Sequence, residues 1–453
     1  MKLAAWAAGV CLPAIVVLFA CGAGASAQTG PEAVSPIKRI GTEFQANKII
    51  KFSQVEPSVA GLPNGNFVVA WQDGSGTAPD IGYAVRARIF NPSGVAVGDP
   101  DFLVPNRYDL SQGQAQAIGL KNGFLIGWAD NGNNGGDQEG MAIRSRRFTN
   151  AGVPTAGQTT VNQITGGDQY YASISKIPTG GYIAGWFDGC FCDGDTGYQV
   201  RGQVFNEEGK RVGTSFRAAT DPEGTQDYPS VTGLSTGESV IVWEDGNFLP
   251  PEQDPDRGTV VRGQLIGTDG KKKGENFLVH KTIRGQQGHP DVAALGKDRY
   301  VVVWEDDNGT SAVPNFDVNI RAQVRDAAGK VGGEFVVNTT LEEDQRFPKA
   351  LGLGGGKFLV CWVDLSQTAP DFSGNAIRCQ AFKMGRTKAS KYGPEFVANG
   401  RKTNDQGYEF GFRGSYSLTL LKNGDFVVVW EDWSGAKPDR QSGGIRGQVF
   451  RLN

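Results

Sequence analysis

The sequence predicts an all-β chain that folds as a single seven-bladed β-propeller with four antiparallel strands in each blade. Three observations predict this fold. A Trp-x-Asp tripeptide occurs seven times, each repeat contains four short extended segments, and the segment that the last repeat lacks is present near the N-terminus. Units of this length bury little surface alone, so four-stranded units in series are typical of blades packed around an axis.

The Trp-x-Asp tripeptides define the repeat. Successive tryptophans are 57, 58, 57, 61, 58 and 68 residues apart, and an arginine in a β-like segment follows each of them. The tryptophans are Trp71, Trp128, Trp186, Trp243, Trp304, Trp362 and Trp430, and the arginines are Arg86, Arg144, Arg201, Arg262, Arg321, Arg378 and Arg446. Because they recur in every unit, we predict a structural role. The tryptophan fills the space between sheets, and the Asp bonds the arginine or a loop amide.

Each repeat divides into four predicted strands, and the fifth repeat shows them clearly. Its extended segments are residues 290–295, 300–304, 319–325 and 334–338, with short glycine-rich turns between the first and second. The second segment of a repeat is almost continuously apolar, as at residues 426–430. Such a strand is buried on both faces, as a sheet between two neighbouring sheets requires.

The two ends of the chain predict that the ring is closed. The last repeat stops after its third segment, near residue 450, while residues 41–47 match the fourth-segment pattern at residues 393–399. An N-terminal strand that completes the last blade removes the exposed edges of an open array. The predicted propeller therefore covers residues 41–453, preceded by a linker at 28–40.

Residues 1–27 are predicted to be a bacterial signal peptide. Lys2 precedes an apolar run at residues 3–20, and small residues at 25–27 form a cleavage site. Residues 18–21 also resemble a lipobox, which would leave a lipid anchor on Cys21. A spanning helix is a weaker interpretation, since the run barely reaches spanning length and contains Pro13. We expect a secreted or periplasmic protein with no transmembrane segment.

The repeat resembles one found in a group of secreted bacterial proteins. It consists of Gly-x-Glu-Phe-x-x-Asn, Gln-x-x-Pro, Gly-x-Phe-Val-Val-x-Trp-x-Asp and Ile-Arg-x-Gln, from about Gly41 to Phe450. The pattern is similar to β-propeller-like exoproteins, including adhesin-like and calcium-binding-toxin-like chains. The resemblance implies the fold and export but no particular activity. Blade 2 departs from it at Ala115 and Thr160, and blade 7 carries an insertion at residues 409–415.

The loops between the second and third strands are predicted to form an acidic face. From each Trp to the following Arg they hold 22 Asp or Glu residues against three basic residues, although the whole chain has a net charge of only −3. Two clusters are candidate ligand-binding residues. They are Glu305, Asp306 and Asp307, and Glu252, Asp254 and Asp256. Trp433 lies outside the repeat pattern and is a candidate contact for a sugar ring or a protein partner. Nothing in the charge indicates nucleic-acid binding.

Clustered carboxylates favour Ca²⁺ as a guest ion. The most local candidate site has Asp188, Asp193 and Asp195, with the alternating Asp of a calcium loop but no downstream Glu. A solvated loop without an ion is the alternative.

Cys361 precedes a repeat Trp and Cys379 follows a repeat Arg, so facing strands would let them form a disulfide. Two reduced core cysteines are the alternative. For Cys190 and Cys192 a strained bridge, two free thiols and a soft-metal site all stay open. With only two histidines in the chain, a His-rich zinc or copper site is not expected.

No catalytic motif stands out in the sequence. The sequence therefore favours a non-catalytic binding protein that uses the acidic loop face for a protein or glycan, with calcium organising the loops. The alternative is a Ca²⁺-assisted hydrolase or lyase at the mouth of the central channel. Carboxylates and a base converging at the channel would favour the enzyme, whereas a channel plugged by apolar side chains would favour the binding protein.

Overall fold

All regular secondary structure in the described part of the chain is β-strand, as the repeat pattern predicts. The computed structural model describes residues 35–77, 82–98, 101–107, 110–132, 140–192, 194–220, 224–246, 258–281, 285–307, 318–407, 414–435 and 443–453. Its regular elements are β-strands arranged in seven antiparallel sheets, one for each repeat. The predicted seven-bladed propeller is confirmed.

The blades follow one another along the chain. Blade 1 contains β2 (Gln54–Gly61), β3 (Phe67–Asp73), β4 (Ala84–Phe90) and β5 (Phe102–Leu103), and blade 2 contains β6 (Gln112–Leu120), β7 (Gly123–Asp130), β8 (Ala142–Phe148) and β9 (Thr159–Thr160). Blade 3 contains β10 (Gln169–Lys176), β11 (Tyr182–Asp188), β12 (Gln199–Phe205) and β13 (Arg211–Arg217). Blade 4 contains β14 (Gln226–Gly233), β15 (Ser239–Asp245), β16 (Val260–Ile266) and β17 (Lys272–Leu278).

The last three blades vary at their outer strand. Blade 5 contains β18 (Gln286–Gly296), β19 (Arg299–Asp307), β20 (Asn319–Asp326), β21 (Gly329–Lys330) and β22 (Phe335–Val336). Blade 6 contains β23 (Gln345–Gly354), β24 (Lys357–Asp364), β25 (Ala376–Met384), β26 (Ala389–Lys391) and β27 (Phe396–Val397). Blade 7 contains β28 (Tyr416–Leu420), β29 (Phe426–Asp432) and β30 (Gly444–Leu452), and β1 (Ile37–Gln45) completes it.

The pairing of β1 with β30 closes the ring as predicted. Ile37 is aligned with Leu452 and Gln45 with Arg446 in an antiparallel register. The strand begins before residue 41, the predicted start of the propeller, because residues 37–40 still pair with the end of β30. No helix in the described ranges is long and apolar enough to cross a membrane.

The hydrophobic core lies between neighbouring blades. One cluster joins Val68 and Ala70 of blade 1 to Phe124 and Trp128 of blade 2. All seven repeat tryptophans are among the largest fully buried side chains. Each tryptophan therefore fills the wedge between two sheets, where burial of an aromatic side chain contributes most.

A polar chain at the loop end recurs between blades. Trp71 lies opposite Arg86 on paired strands, and Arg86 Nε is 2.6 Å from Asp73 Oδ2. Gln54 donates a hydrogen bond to the other oxygen of Asp73, and Asn47, two residues after the closing strand, donates to Gln54. The same Asn–Gln–Asp–Arg chain recurs in blade 3 through Asn162, Gln169, Asp188 and Arg201. The recurrent Asn, Gln, Asp and Arg therefore satisfy one another inside the structure.

Candidate functional site

The first strand of blades 1 to 6 carries a β-bulge at the same position near the loop face. The register of each strand shifts there, for example between Val55 and Ser58 in blade 1. The bulge residues have positive φ angles between 47° and 56° although none is glycine. They are Glu56, Gln114, Tyr171, Tyr228, His289 and Phe347. Bulges re-aim side chains, and non-glycine residues with positive φ cluster at functional sites.

Side chains of the preceding blade hold several of these bulges. Gln114 N–H donates to Glu56 Oε2 at 2.8 Å, and Tyr171 N–H donates to Gln114 Oε1 at the same distance. In the later blades the acceptor is the middle residue of Trp-x-Asp. Glu244 accepts from His289 N–H at 3.0 Å, and Glu305 accepts from Phe347 N–H at 2.6 Å. The unusual backbone conformation is thus stabilised from one blade to the next.

The bulges surround a cavity of about 180 Å³ on the axis of the ring. Its lining includes two carboxylates, Glu56 and Asp291, together with the imidazole of His289 and the ammonium group of Lys349. The phenol of Tyr228 also lies there. The mouth of the channel is therefore lined by ionisable groups and is not plugged by apolar side chains alone.

His289 is the most constrained ionisable residue at the cavity. Its Nδ1 lies 3.2 Å from Glu305 Oε2, and its ring is held between Tyr228 and Phe347 at centroid distances of 4.1 and 4.9 Å. Its Nε2 is buried and has no hydrogen-bond partner among the described residues. A buried donor without a partner is costly, so a shift of the ring that brings Nε2 to a ligand oxygen or a water in the cavity would be favourable.

The ionisable groups around His289 have shifted pKa values. Burial lowers the pKa of His289, but Glu305 and Glu244 raise it by more, so it lies above the ordinary value of 6.5. Burial raises the pKa of Glu305, but His289, the Phe347 N–H and Arg346 lower it by more, so it lies below its ordinary value. Both shifts favour the charged pair, an imidazolium beside a carboxylate, over the neutral one.

Glu244 is shifted in the opposite direction from Glu305. Burial raises the pKa of Glu244, and the opposing effect of His289 is smaller. Two glutamates that contact the same histidine thus favour different protonation states. Environments that separate the pKa values of neighbouring acids are a mark of acid–base sites.

Asp291 lies two residues beyond His289 and has a mainly structural set of contacts. Its oxygens accept hydrogen bonds from Ala350 N–H and from the Ser230 hydroxyl, both at 2.7 Å. Ser58 of blade 1 accepts a bond from Ala117 N–H in the same way. Burial raises the pKa of Asp291, against the effect of nearby Lys349. Asp291 therefore links blades 4, 5 and 6, while Glu56 belongs to blade 1, on the other side of the ring from His289.

Two of the three predicted ligand-binding acids of blade 5 are buried. Glu305 is 5% exposed and contacts His289, and Asp306 is 1% exposed and forms the repeat ion pair with Arg321. Neither is free to meet a partner on an open loop face, because the middle and last residues of Trp-x-Asp point into the protein. Asp307 is partly exposed.

The other predicted ligand residues have mixed outcomes. Glu252, Asp254 and Asp256 lie outside the described residues, as do the predicted signal peptide and Cys21. Trp433 is 37% exposed, and its indole N–H donates to Glu431 Oε1 at 2.6 Å. Its ring is therefore partly held against the protein, with one part open to a ligand.

The predicted calcium residues contact arginines. Asp188 pairs with Arg201, and Asp195 pairs with Arg201 at 2.7 Å and with Arg217 at 2.5 Å. Asp193 lies outside the described residues. The described part of the chain contains no group of three His, Cys, Asp or Glu side chains that could hold a metal ion. Calcium binding stays a prediction, and an ion there has to compete with two arginines.

The cysteine pair that was predicted to bond and the pair whose state was left open are both disulfides. Cys361 and Cys379 lie opposite each other on β24 and β25 and are bonded, as expected from their places beside the repeat Trp and Arg. Cys190 and Cys192 are also bonded, which selects the bridge among the three states that the sequence left open. Disulfides agree with the predicted location outside the cytoplasm.

Sequence reasoning missed His289, Glu56 and Tyr228. The available signal was their common place in the Gln-x-x-Pro motif, where the backbone pattern is constant and the residue before Pro varies. A position that is fixed in backbone but variable in side chain differs from the repeat residues that maintain the blade. That contrast could have directed attention to the channel.

No protein-family model matches the chain, and a search of curated proteins finds no match. Solved structures do show a similar fold. They include an unknown-function protein from Dyadobacter fermentans, with 12% identity, a TM-score of 0.46, and coverage of 92% of this chain and 100% of that chain. An α-L-arabinofuranosidase from Fusarium graminearum has 10% identity, a TM-score of 0.46, and coverage of 90% and 98%. The NanB sialidase from Streptococcus pneumoniae has 10% identity, a TM-score of 0.45, and coverage of 92% and 71%. At these identities and TM-scores the likeness says nothing about what this chain does.

The expected non-catalytic binding protein with an acidic loop face is wrong. In this chain itself, the channel mouth joins Glu56, Asp291, His289 and Lys349 at one cavity, which is the arrangement expected of the enzymatic alternative. The acidic loop residues Glu305 and Asp306 are buried instead of presenting a binding face.

Proposed function

We propose that the protein is a carbohydrate-active hydrolase whose active site is the mouth of the central channel. One observation carries the proposal. His289, held by Glu305 and flanked by two aromatic rings, lies at a cavity that also contains the carboxylate of Glu56. An acid and a carboxylate at one cavity are the elements that hydrolysis of a glycosidic bond requires.

His289 is proposed as the general acid. Its raised pKa keeps the imidazolium populated to higher pH than in a free histidine, and a protonated group can donate to a leaving oxygen. Glu305 accepts a hydrogen bond from Nδ1, which orients the ring and stabilises its positive charge. Nε2 then holds the proton that is transferred. A protonated imidazole is poorly suited to removing a proton from carbon, so the site favours hydrolysis over a lyase reaction.

Glu56 is proposed as the carboxylate that activates water or stabilises positive charge on the sugar. One of its oxygens is held by Gln114 N–H at 2.8 Å, which fixes the side chain at the cavity wall. Blade 1 and blade 5 are three blades apart in a ring of seven. Glu56 and His289 therefore approach a bound substrate from different sides, as a base and an acid must.

Aromatic and polar groups suit the cavity to a sugar. Tyr228 and Tyr416 supply ring surface, and Gln114 and Lys349 supply hydrogen-bonding groups. Sugar rings present apolar faces and polar edges, so a mixed lining of this kind matches them. A narrow cavity admits the end of an oligosaccharide more easily than its middle, so we expect release of terminal sugars.

The test is release of sugar from a panel of oligosaccharides. The panel includes arabino-oligosaccharides and sialosides, and products are measured by mass spectrometry and a reducing-sugar assay. We expect His289→Gln and Glu56→Gln each to lower kcat by about 10²- to 10⁴-fold, the usual contribution of general acid–base catalysis. Gln116→Ala is the matched control, because Gln116 lines the cavity but has no ionisable group. Activity that survives both substitutions in folded protein would contradict the proposal.

A further inference from the structure

The Cys190–Cys192 disulfide lies in an accessible loop, away from the channel residues proposed above. It follows β11 of blade 3 and spans a single residue, Phe191. Both cysteines are partly exposed, and the Phe191 side chain is 55% exposed. A thiol in solution can therefore reach this bond, which is the first requirement for exchange.

The backbone of the loop favours opening of the bond. Phe191 has a φ angle of 50°, in the left-handed region that bulky residues rarely adopt. It is the residue inside the ring that the bond closes. When the bond opens, Phe191 is free to return to an ordinary conformation, so reduction relieves conformational energy.

The two sulfur atoms have different surroundings. Arg201 Nη2 donates to Cys192 Sγ at 3.9 Å, whereas Cys190 Sγ lies beside Gly166. Arg201 also pairs with Asp188 and Asp195, which share its charge. A guanidinium next to a thiol favours the thiolate, so Cys192 is the better leaving group of the two.

We propose that Cys190–Cys192 is a redox-active site that oxidises dithiols and exchanges with small thiols. A substrate thiolate attacks Cys190 Sγ, the Cys190–Cys192 bond breaks, and its electron pair leaves with Cys192 as a thiolate. The second thiolate of the substrate then attacks the substrate sulfur of the mixed disulfide and releases Cys190. The substrate dithiol becomes a disulfide, and the protein disulfide gains two electrons and two protons.

The second disulfide of the chain provides an internal control. Cys361 and Cys379 are both 0% exposed and lie on paired strands inside blade 6. The same solution and the same molecule thus contain one accessible and one inaccessible bond. This comparison does not depend on the hydrolase proposal, because none of the four cysteines lines the channel cavity.

The first experiment reduces the folded protein with increasing dithiothreitol, alkylates free thiols and maps them by mass spectrometry. We expect Cys190 and Cys192 to be alkylated while Cys361 and Cys379 remain bonded. With glutathione as the reductant, the trapped mixed disulfide should lie on Cys190. Resistance of Cys190–Cys192 to reduction, or a mixed disulfide on Cys192, would overturn the proposal.

The second experiment measures oxidation of a dithiol peptide by a stoichiometric amount of protein. We expect the protein to form peptide disulfide in equal amount to the chain, and the double variant C190S/C192S to form none. The variant keeps the Cys361–Cys379 bond, and its thermal unfolding shows whether it is folded. Equal peptide oxidation by a folded double variant would assign the reaction to another group and reject the site.

Discussion

The wedge between blades and the mouth of the channel use the same repeat in opposite ways. In the wedge, every blade places the same Trp, Asp and Arg in the same surroundings, as Trp71 and Arg86 do in blade 1. At the channel, blades 1 to 6 keep the same bulge and the same positive φ but carry different side chains, such as Glu56 in blade 1 and His289 in blade 5.

The difference shows where a repeat protein can acquire chemistry. A residue that fills the space between sheets must be the same in all blades, because each blade meets a similar neighbour. A residue on the axis also faces the shared cavity, so one blade can supply an acid while another supplies a histidine. Variation at a position with constant backbone therefore marks the functional surface.

The largest effect is expected in the wedge. Trp304→Ala should lower the free energy of unfolding by about 3–5 kcal/mol, because it leaves a large cavity between blades. Urea denaturation followed by tryptophan fluorescence and circular dichroism measures the change. Gln116→Ala at the channel is the control and should change stability by no more than about 0.5 kcal/mol. Equal effects of the two substitutions would remove the distinction between wedge and channel.

The pH dependence of hydrolysis tests the roles of His289 and Glu305 at the channel. If His289 is the acid, activity falls as pH rises through its pKa, which lies above 6.5 because Glu305 and Glu244 outweigh burial. Glu305→Gln removes one of these charges and should move the alkaline decline to lower pH. The measurement is the pH profile of kcat for both proteins. An unchanged alkaline decline would separate Glu305 from the proton transfer.

The pH dependence of the free energy of unfolding tests the raised pKa of His289 without any substrate. A raised pKa in the folded state means that His289 contributes stability below the unfolded value of 6.5, and this contribution is lost as pH rises through the folded pKa. Wild type should therefore exceed His289→Gln in free energy of unfolding most at about pH 6, with a smaller difference at about pH 9. A difference that grows with pH would contradict the imidazolium assignment.

The smallest effect is expected from calcium at the blade 3 loop. An ion at Asp188 and Asp195 has to displace Arg201 and Arg217, so its net stabilisation of the folded state should be small. Thermal unfolding in EDTA and then in added Ca²⁺ measures it, since a ligand of the folded form raises the melting temperature. A large rise that Asp195→Asn abolishes would show that the ion does replace the arginines.

The sequence by itself determined the fold, the closure and the residues of the wedge. Seven Trp-x-Asp tripeptides, four segments in each repeat and the displaced fourth segment at residues 41–47 lead to a closed propeller, because strand period and repeat length are local properties. The facing positions of Cys361 and Cys379 also followed from the repeat, since these cysteines adjoin residues that face each other on paired strands, and the structure selects the bond over two reduced thiols.

Only the tertiary structure decided which side chains meet at the axis. Glu56 and His289 are 233 positions apart in the numbering and share no motif, yet both line one cavity. Glu305 looked like an exposed acid in an acidic loop, but packing of blade 5 against blade 6 buries it, and it contacts His289 of its own blade and accepts from the Phe347 N–H of the next. Burial and proximity across blades depend on ring closure, which no local pattern of residues expresses.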